Sequence, residues 1–121
     1  MILADTSVWT THLRTSVPEF ESLLDRGDIL IHPFVIGELA CGNLSNRAEI
    51  LGMLAQLPQL ALASNVEVLG FIERRALHGR GVGYVDVHLL ASTALDPDAQ
   101  LWTLDHRLEI VASDLGYAYA P

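Results

Sequence analysis

The chain has no lysine: its seven basic residues are all arginine, set against fifteen acidic ones for a formal net charge of -8. This absence excludes Lys-dependent chemistry, both Schiff-base formation and the acidic-pocket-plus-Lys site of phospho-receiver domains. The charge balance argues against broad attraction to nucleic acid, because most of such a surface repels a polyanion. Cysteine is nearly absent as well. Cys41 has no second thiol to pair with, so no internal disulfide can form, and its place in an apolar helical stretch predicts a buried thiol in a reducing compartment. No apolar run approaches the length of a bilayer span, and the opening MILAD has neither a basic segment nor a long apolar stretch. The expectation is a soluble, cytoplasmic protein.

What is present suffices for one core. At 121 residues and 50% hydrophobic content, the chain can fill a single interior without disulfides or a structural metal, and a second domain has no room. One domain over residues 1–121 is therefore expected.

Short apolar runs alternate with helical patterns along the whole length. Ile2 to Ala4 reads as a strand ending at Asp5, followed by a helix carrying Val8, Trp9 and Leu13. Pro18 opens a second helix that stops at Gly27, Ile29 to Ile31 is a strand, and Pro33 starts a helix closed by Gly42. Arg47 to Leu57 has helical spacing before Pro58, Leu60 to Leu62 is a short strand, and Ser64 with Glu67 forms a capping box for a longer helix. GRGVGY follows a helix rather than a strand, so it fails as a phosphate loop and reads as a mobile connection. Val85 to Leu95 is helical with one apolar face, Leu101 to Leu104 is a strand, Asp105 opens the last helix, and Tyr117 to Ala120 offers a final edge strand. The alternation predicts an α/β fold with a mainly parallel central sheet and helices on both faces, its site beyond the carboxyl ends of the strands.

Four lone carboxylates interrupt this apolar scaffold: Asp5, Glu38, Asp86 and Asp105. Asp5 and Asp105 each fit a simple N-cap, and Asp86 gains from the helix dipole in a first turn. Glu38 is harder to explain structurally, since Phe34 to Cys41 holds no other charge and lacks the polar string of a solvated face. Together they suggest one shared site. Clustered carboxylates raise one another's pKa unless a hard cation such as Mg²⁺ or Mn²⁺ neutralises them, and the chemistry that follows is metal-assisted hydrolysis.

The ordered set DTSVW, a Glu in an apolar helix, GYVDVHLLAS and LWTLDHRL resembles the PIN-domain nucleases over the whole chain, and most of all the VapC-type toxins of bacterial toxin-antitoxin systems. The resemblance implies a PIN-like domain in which Asp5, Glu38, Asp86 and Asp105 form the catalytic and metal-binding quartet. Asp5 and Asp86 would ligate directly and Glu38 and Asp105 directly or through water, with Ser7 and Thr103 as supporting hydroxyls. It further implies a Mg²⁺- or Mn²⁺-dependent endoribonuclease acting on structured RNA such as transfer RNA, a VapB-type antitoxin covering the acidic groove, and a homodimer. Val87 departs from the small residue that many relatives carry there. The alternative within the family is a catalytically silent PIN-like module for RNA or protein contact.

Other candidates are subordinate. A haloacid-dehalogenase-like phosphatase would need a second Asp where Ser7 stands, and a Lys that the chain lacks. Five histidines without paired spacing and without a second Cys make no zinc site. RNA must reach so acidic a protein through a local patch, and Arg74, Arg75 and Arg80, with Arg107 beside Asp105, are the candidates; the bland reading is a solvated helix end. Trp9 and Trp102 each fall in apolar runs and belong to the core rather than to base stacking.

Overall fold

In the computed structural model, which describes residues 1–121, β1 (Ile2–Ala4) lies between β2 (Ile29–Leu30) and β3 (Gln100–Trp102) in a three-stranded, all-parallel sheet. Leu3 pairs with Leu30 on one side and with Leu101 on the other. Every side chain of β1 is buried, so both faces of the sheet are covered, as parallel strands joined by helical crossovers require. α1 (Thr6–Arg14) and α2 (Pro18–Asp25) join β1 to β2. α3 (Pro33–Cys41), α4 (Arg47–Gln56), α5 (Asn65–Arg75) and α6 (Tyr84–Ala94) join β2 to β3, and α7 (His106–Leu115) follows. β2 and β3 flank β1 on opposite sides, and α3 of the second connection meets α1 of the first, where Thr6 donates to Glu38. The strand order reverses at β1, the place where open α/β sheets form a crevice beyond their carboxyl ends.

One contiguous core of 28 residues holds these layers together. Trp9 packs edge-on against Phe20 at 4.7 Å between ring centroids, and Phe20 meets Trp102 at 5.9 Å, so both tryptophans are core residues as expected. The helix starts obey their local signals. Pro18 and Pro33 occupy first-turn positions, and Ser64 and Glu67 complete a reciprocal capping box. No helix is long and apolar enough to cross a membrane.

Several expectations are corrected. Leu60 to Leu62 is not a strand: the chain touches the sheet edge just before it, through a single bridge between Ile31 and Gln59, Ala61 and Leu62 are exposed, and the Ala63 amide then donates to Ser92 Oγ. β3 stops at Trp102 rather than Leu104, because Thr103 and the Leu104 amide turn toward the end of β1. Tyr117 to Ala120 contributes only one parallel bridge, Leu101 to Ala118. Val87 to Thr93 are all buried, so α6 has no single inner stripe; it is enclosed between α5 and the sheet. Cys41 is exposed rather than buried. It ends α3 on the same face as Phe34, Gly37 and Glu38, all exposed, so the helix does present a solvent face, made of apolar and small residues around one acid. The glycine-rich connection is tied down at two points: Arg80 forms a 2.6 Å ion pair with Asp114, and the Arg107 side chain lies against Gly81.

Candidate functional site

Asp5 leaves the carboxyl end of β1 and caps α1, its Oδ1 accepting from the Val8 amide at 3.1 Å. It is only 5% exposed. Burying a carboxylate is costly unless its oxygens are satisfied, and here each one is. Ser7 Oγ donates to Oδ1, and Thr103 Oγ1 donates to Oδ2. The same two hydroxyls accept in turn: Ser7 Oγ from the Leu104 amide at 3.0 Å, and Thr103 Oγ1 from the Asp105 amide at 3.0 Å. The ends of β1 and β3 are thus cross-linked through Asp5. Burial pushes the Asp5 carboxyl above its usual range, opposed by the Ser7 and Thr103 hydroxyls and the Val8 and Ser7 amides.

Asp105 repeats the pattern at β3, with Oδ1 accepting from the Leu108 amide at 3.0 Å to cap α7. Asp86 stands in the first turn of α6 and accepts weakly, at 3.3 Å, from the Gly83 amide that precedes the helix. Glu38 projects from the exposed face of α3, held by the Thr6 hydroxyl, which donates to Oε1 at 2.6 Å. The capping readings are therefore correct for Asp5 and Asp105, and they do not compete with a shared site. An N-cap fixes a carboxylate at a strand end.

Asp86 feels the charges of the other three acids. Its carboxyl is raised first by burial, against the Gly83 amide, and then by the negative charges of Asp5, Asp105 and Glu38. No basic side chain relieves them. The two salt bridges of the molecule, Arg26 with Asp28 and Arg80 with Asp114, involve none of the four. An all-oxygen, anionic donor set without an internal cation matches a hard divalent ion rather than zinc or copper. As the side chains stand, no three acidic, His or Cys groups are gathered tightly enough to grip one ion together.

The arginines divide. Arg107 begins two residues beyond Asp105 and lies over Gly81, where an added Cβ would meet its Cδ at 2.8 Å. Arg80 is engaged with Asp114. Arg74 and Arg75 line a cavity of about 380 Å³ that shares no residue with the recesses beside Glu38. They are not brought to the acids. Thr6 was missed from sequence: a hydroxyl between Asp5 and Ser7 gives no sign of which partner it faces until α3 is placed beside α1.

No protein-family model matches the chain. Two curated proteins, both named Ribonuclease VapC32 and coming from two strains of Mycobacterium tuberculosis, are 45% identical to it over 120 residues, a match that covers 99% of this chain and 97% of theirs.

Proposed function

Since this chain belongs to the VapC-type PIN-domain toxin family, we propose that it is a Mg²⁺- or Mn²⁺-dependent endoribonuclease, the toxin of a cytoplasmic toxin-antitoxin pair, cutting transfer RNA or another structured RNA. The carrying observation is that Asp5 and Asp105 cap helices at neighbouring strand ends and are linked through Thr103, with Glu38 tied to the adjacent Thr6, and that neither ion pair of the molecule involves any of the four acids. Two named relatives of almost the same length are ribonucleases by name, which supports the reaction class.

Asp5 and Asp86 would hold the ion, with Glu38 and Asp105 binding it directly or through water. The ion, when bound, supplies charge to polarise the scissile phosphate and to lower the pKa of the attacking water. The remaining work belongs to the protein. Ser7 and Thr103 fix the Asp5 carboxylate in orientation and favour its charged form against the opposing effect of burial. Thr6 holds one Glu38 oxygen in place and leaves the other for a water or a ligand. As the resemblance to PIN-domain nucleases implies, hydrolysis would leave a 5′-phosphate and a 3′-hydroxyl. The partners of this reading are RNA, a VapB-type antitoxin placing an Arg or Lys among the acids, and a second copy of the chain in a homodimer.

Incubating purified protein with total RNA in Mg²⁺, in Mn²⁺ and in chelator tests this directly. Cleavage in either metal, none in chelator, and loss in Asp5→Asn and Asp86→Asn are expected, with a metal-dependent rise in melting temperature that shrinks in both variants. Equal cutting in chelator would overturn the metal dependence. Metal binding without any cleavage would identify a silent binding module.

A further inference from the structure

Glu38 stands on a ridge. Thr6 and Glu38, joined by their hydrogen bond, line two recesses at once: a shallow apolar groove beside Phe34 and Cys41, and a cavity of about 360 Å³ on the opposite side that opens toward Arg14. The second is the better-built recess. Leu39, 4% exposed, and Ile50 supply apolar surface, while Asn43, Ser45 and Asn46 supply amide and hydroxyl groups from the α3–α4 connection. Arg47 braces that connection, with Nη2 donating to the Ala40 carbonyl at 2.6 Å and Nη1 to the Gly42 carbonyl at 3.3 Å. Asn46 then takes a left-handed conformation, φ 51°, to turn the chain into α4. Arg14 is the one basic residue lining the cavity, and it enters neither salt bridge of the molecule.

We propose that this recess binds one unpaired ribonucleotide of the substrate strand, next to the scissile phosphodiester, with Arg14 on its phosphate and Asn43 and Ser45 on its base. The proposal rests on the ribonuclease reading and adds a subsite to it. The volume falls within the range of roughly 300–1,000 Å³ in which small ligands are enclosed. Apolar surface accepts the face of a base, and side-chain amides both donate and accept, as base edges do. Proteins read RNA sequence mainly from unpaired nucleotides splayed into such sites. An acidic protein also needs a cation where the strand passes, since phosphates are otherwise repelled. Arg14 supplies one on the far side of Glu38 from the apolar groove. The phosphodiester would then cross the ridge, within reach of the acids, while its neighbour is held in the cavity.

The test measures binding of a short single-stranded RNA by fluorescence anisotropy in Ca²⁺, over a series of salt concentrations, for wild type, Arg14→Ala, Arg14→Lys and Ser45→Trp. Cleavage sites on a randomised RNA pool in Mg²⁺ are sequenced for wild type and Asn43→Ala. Arg14→Ala should weaken binding by about 3- to 10-fold and flatten the logarithmic salt slope by about 0.7, the value of one lost phosphate contact on a single strand. Arg14→Lys should restore most of the affinity. Ser45→Trp, which puts bulk into the cavity, should weaken binding at least as much, and Asn43→Ala should change base preference beside the cut. All variants should keep the metal-induced rise in melting temperature, which reports that the fold and the acidic site are intact. Wild-type affinity in both Arg14→Ala and Ser45→Trp, with unchanged cut sites in Asn43→Ala, would overturn the subsite and leave the ribonuclease reading standing. A wild type that neither binds nor cuts RNA would overturn both.

Discussion

Asp5 shows how one residue meets two demands. Its carboxylate is buried, yet Ser7, Val8 and Thr103 satisfy both oxygens, and Thr103 also accepts the Asp105 amide. Thr103→Val keeps the shape and removes the hydroxyl, leaving a buried carboxylate oxygen and an amide unpaired. It should cost about 1–3 kcal/mol in urea unfolding; a loss below about 0.5 kcal/mol would mean that water replaces the hydroxyl without penalty. His32 carries a different constraint. Its Nδ1 accepts from the Phe34 amide at 3.0 Å and so caps α3, which only a neutral ring can do. Burial, and secondarily the proximity of His88, pushes its pKa down to about 4. The unfolded chain binds a proton below about 6.5 while the folded one refuses it, so this contribution to stability is complete above 6.5 and is lost as pH falls toward 4. Between pH 7 and 5 the loss should be about 2 kcal/mol. His32→Asn retains a capping acceptor and should flatten that acid limb in unfolding measurements; an unchanged limb would place the titration elsewhere.

Among the elements, the connection between α5 and α6 is where the site can be mis-set from a distance. Two arginines tie it to α7 in opposite directions: Arg80 reaches from the loop to Asp114, and Arg107 reaches from α7 over Gly81. The loop leads into Asp86 and Asp105 caps α7, so the clasp joins the two segments that carry these acids. Gly79 and Gly81 both have positive φ, 71° and 81°, but an added Cβ meets nothing within 4 Å at Gly79, whereas at Gly81 it meets Arg107 Nη1 at 2.9 Å. Each change to Ala should cost about 1–2 kcal/mol in backbone strain. Only Gly81→Ala should also lower RNA cleavage, by about 10-fold or more, since small misplacements of reacting groups cost that much. Equal activity in the two variants would show that the clasp does not set the site.

At the scale of the whole molecule, charge decides how substrate arrives. With a net charge of -8, the protein repels RNA except where arginines outside its two ion pairs can meet it. If Arg14, Arg74, Arg75 and Arg107 each meet one phosphate, the logarithm of RNA affinity should fall with the logarithm of salt concentration with a slope of about -2.8, or about 50-fold between 50 and 200 mM. Removing Arg74 and Arg75 together should bring the slope to about -1.4. An unchanged slope would return that pair to the role of a solvated helix end, in keeping with its place on a cavity apart from the acids.

The sequence alone determined the alternation of strands and helices, the helix starts at Pro18, Pro33 and Ser64, and the core tryptophans, and it singled out four acids as candidates. These are local or additive properties: cap chemistry, apolar periodicity and the cost of an unexplained carboxylate in an apolar run can be read without knowing what lies opposite. Only the tertiary structure decided which groups meet. The donation from Thr6 to Glu38 links positions 32 residues apart, and that from Thr103 to Asp5 links positions 98 apart. Such pairs depend on the order β2-β1-β3 and on the angle at which α3 passes α1, and no periodicity encodes either. Cys41 was misjudged for the same reason. An apolar helix has several faces to offer, and it is the neighbouring elements, not its own residues, that choose which one remains in water.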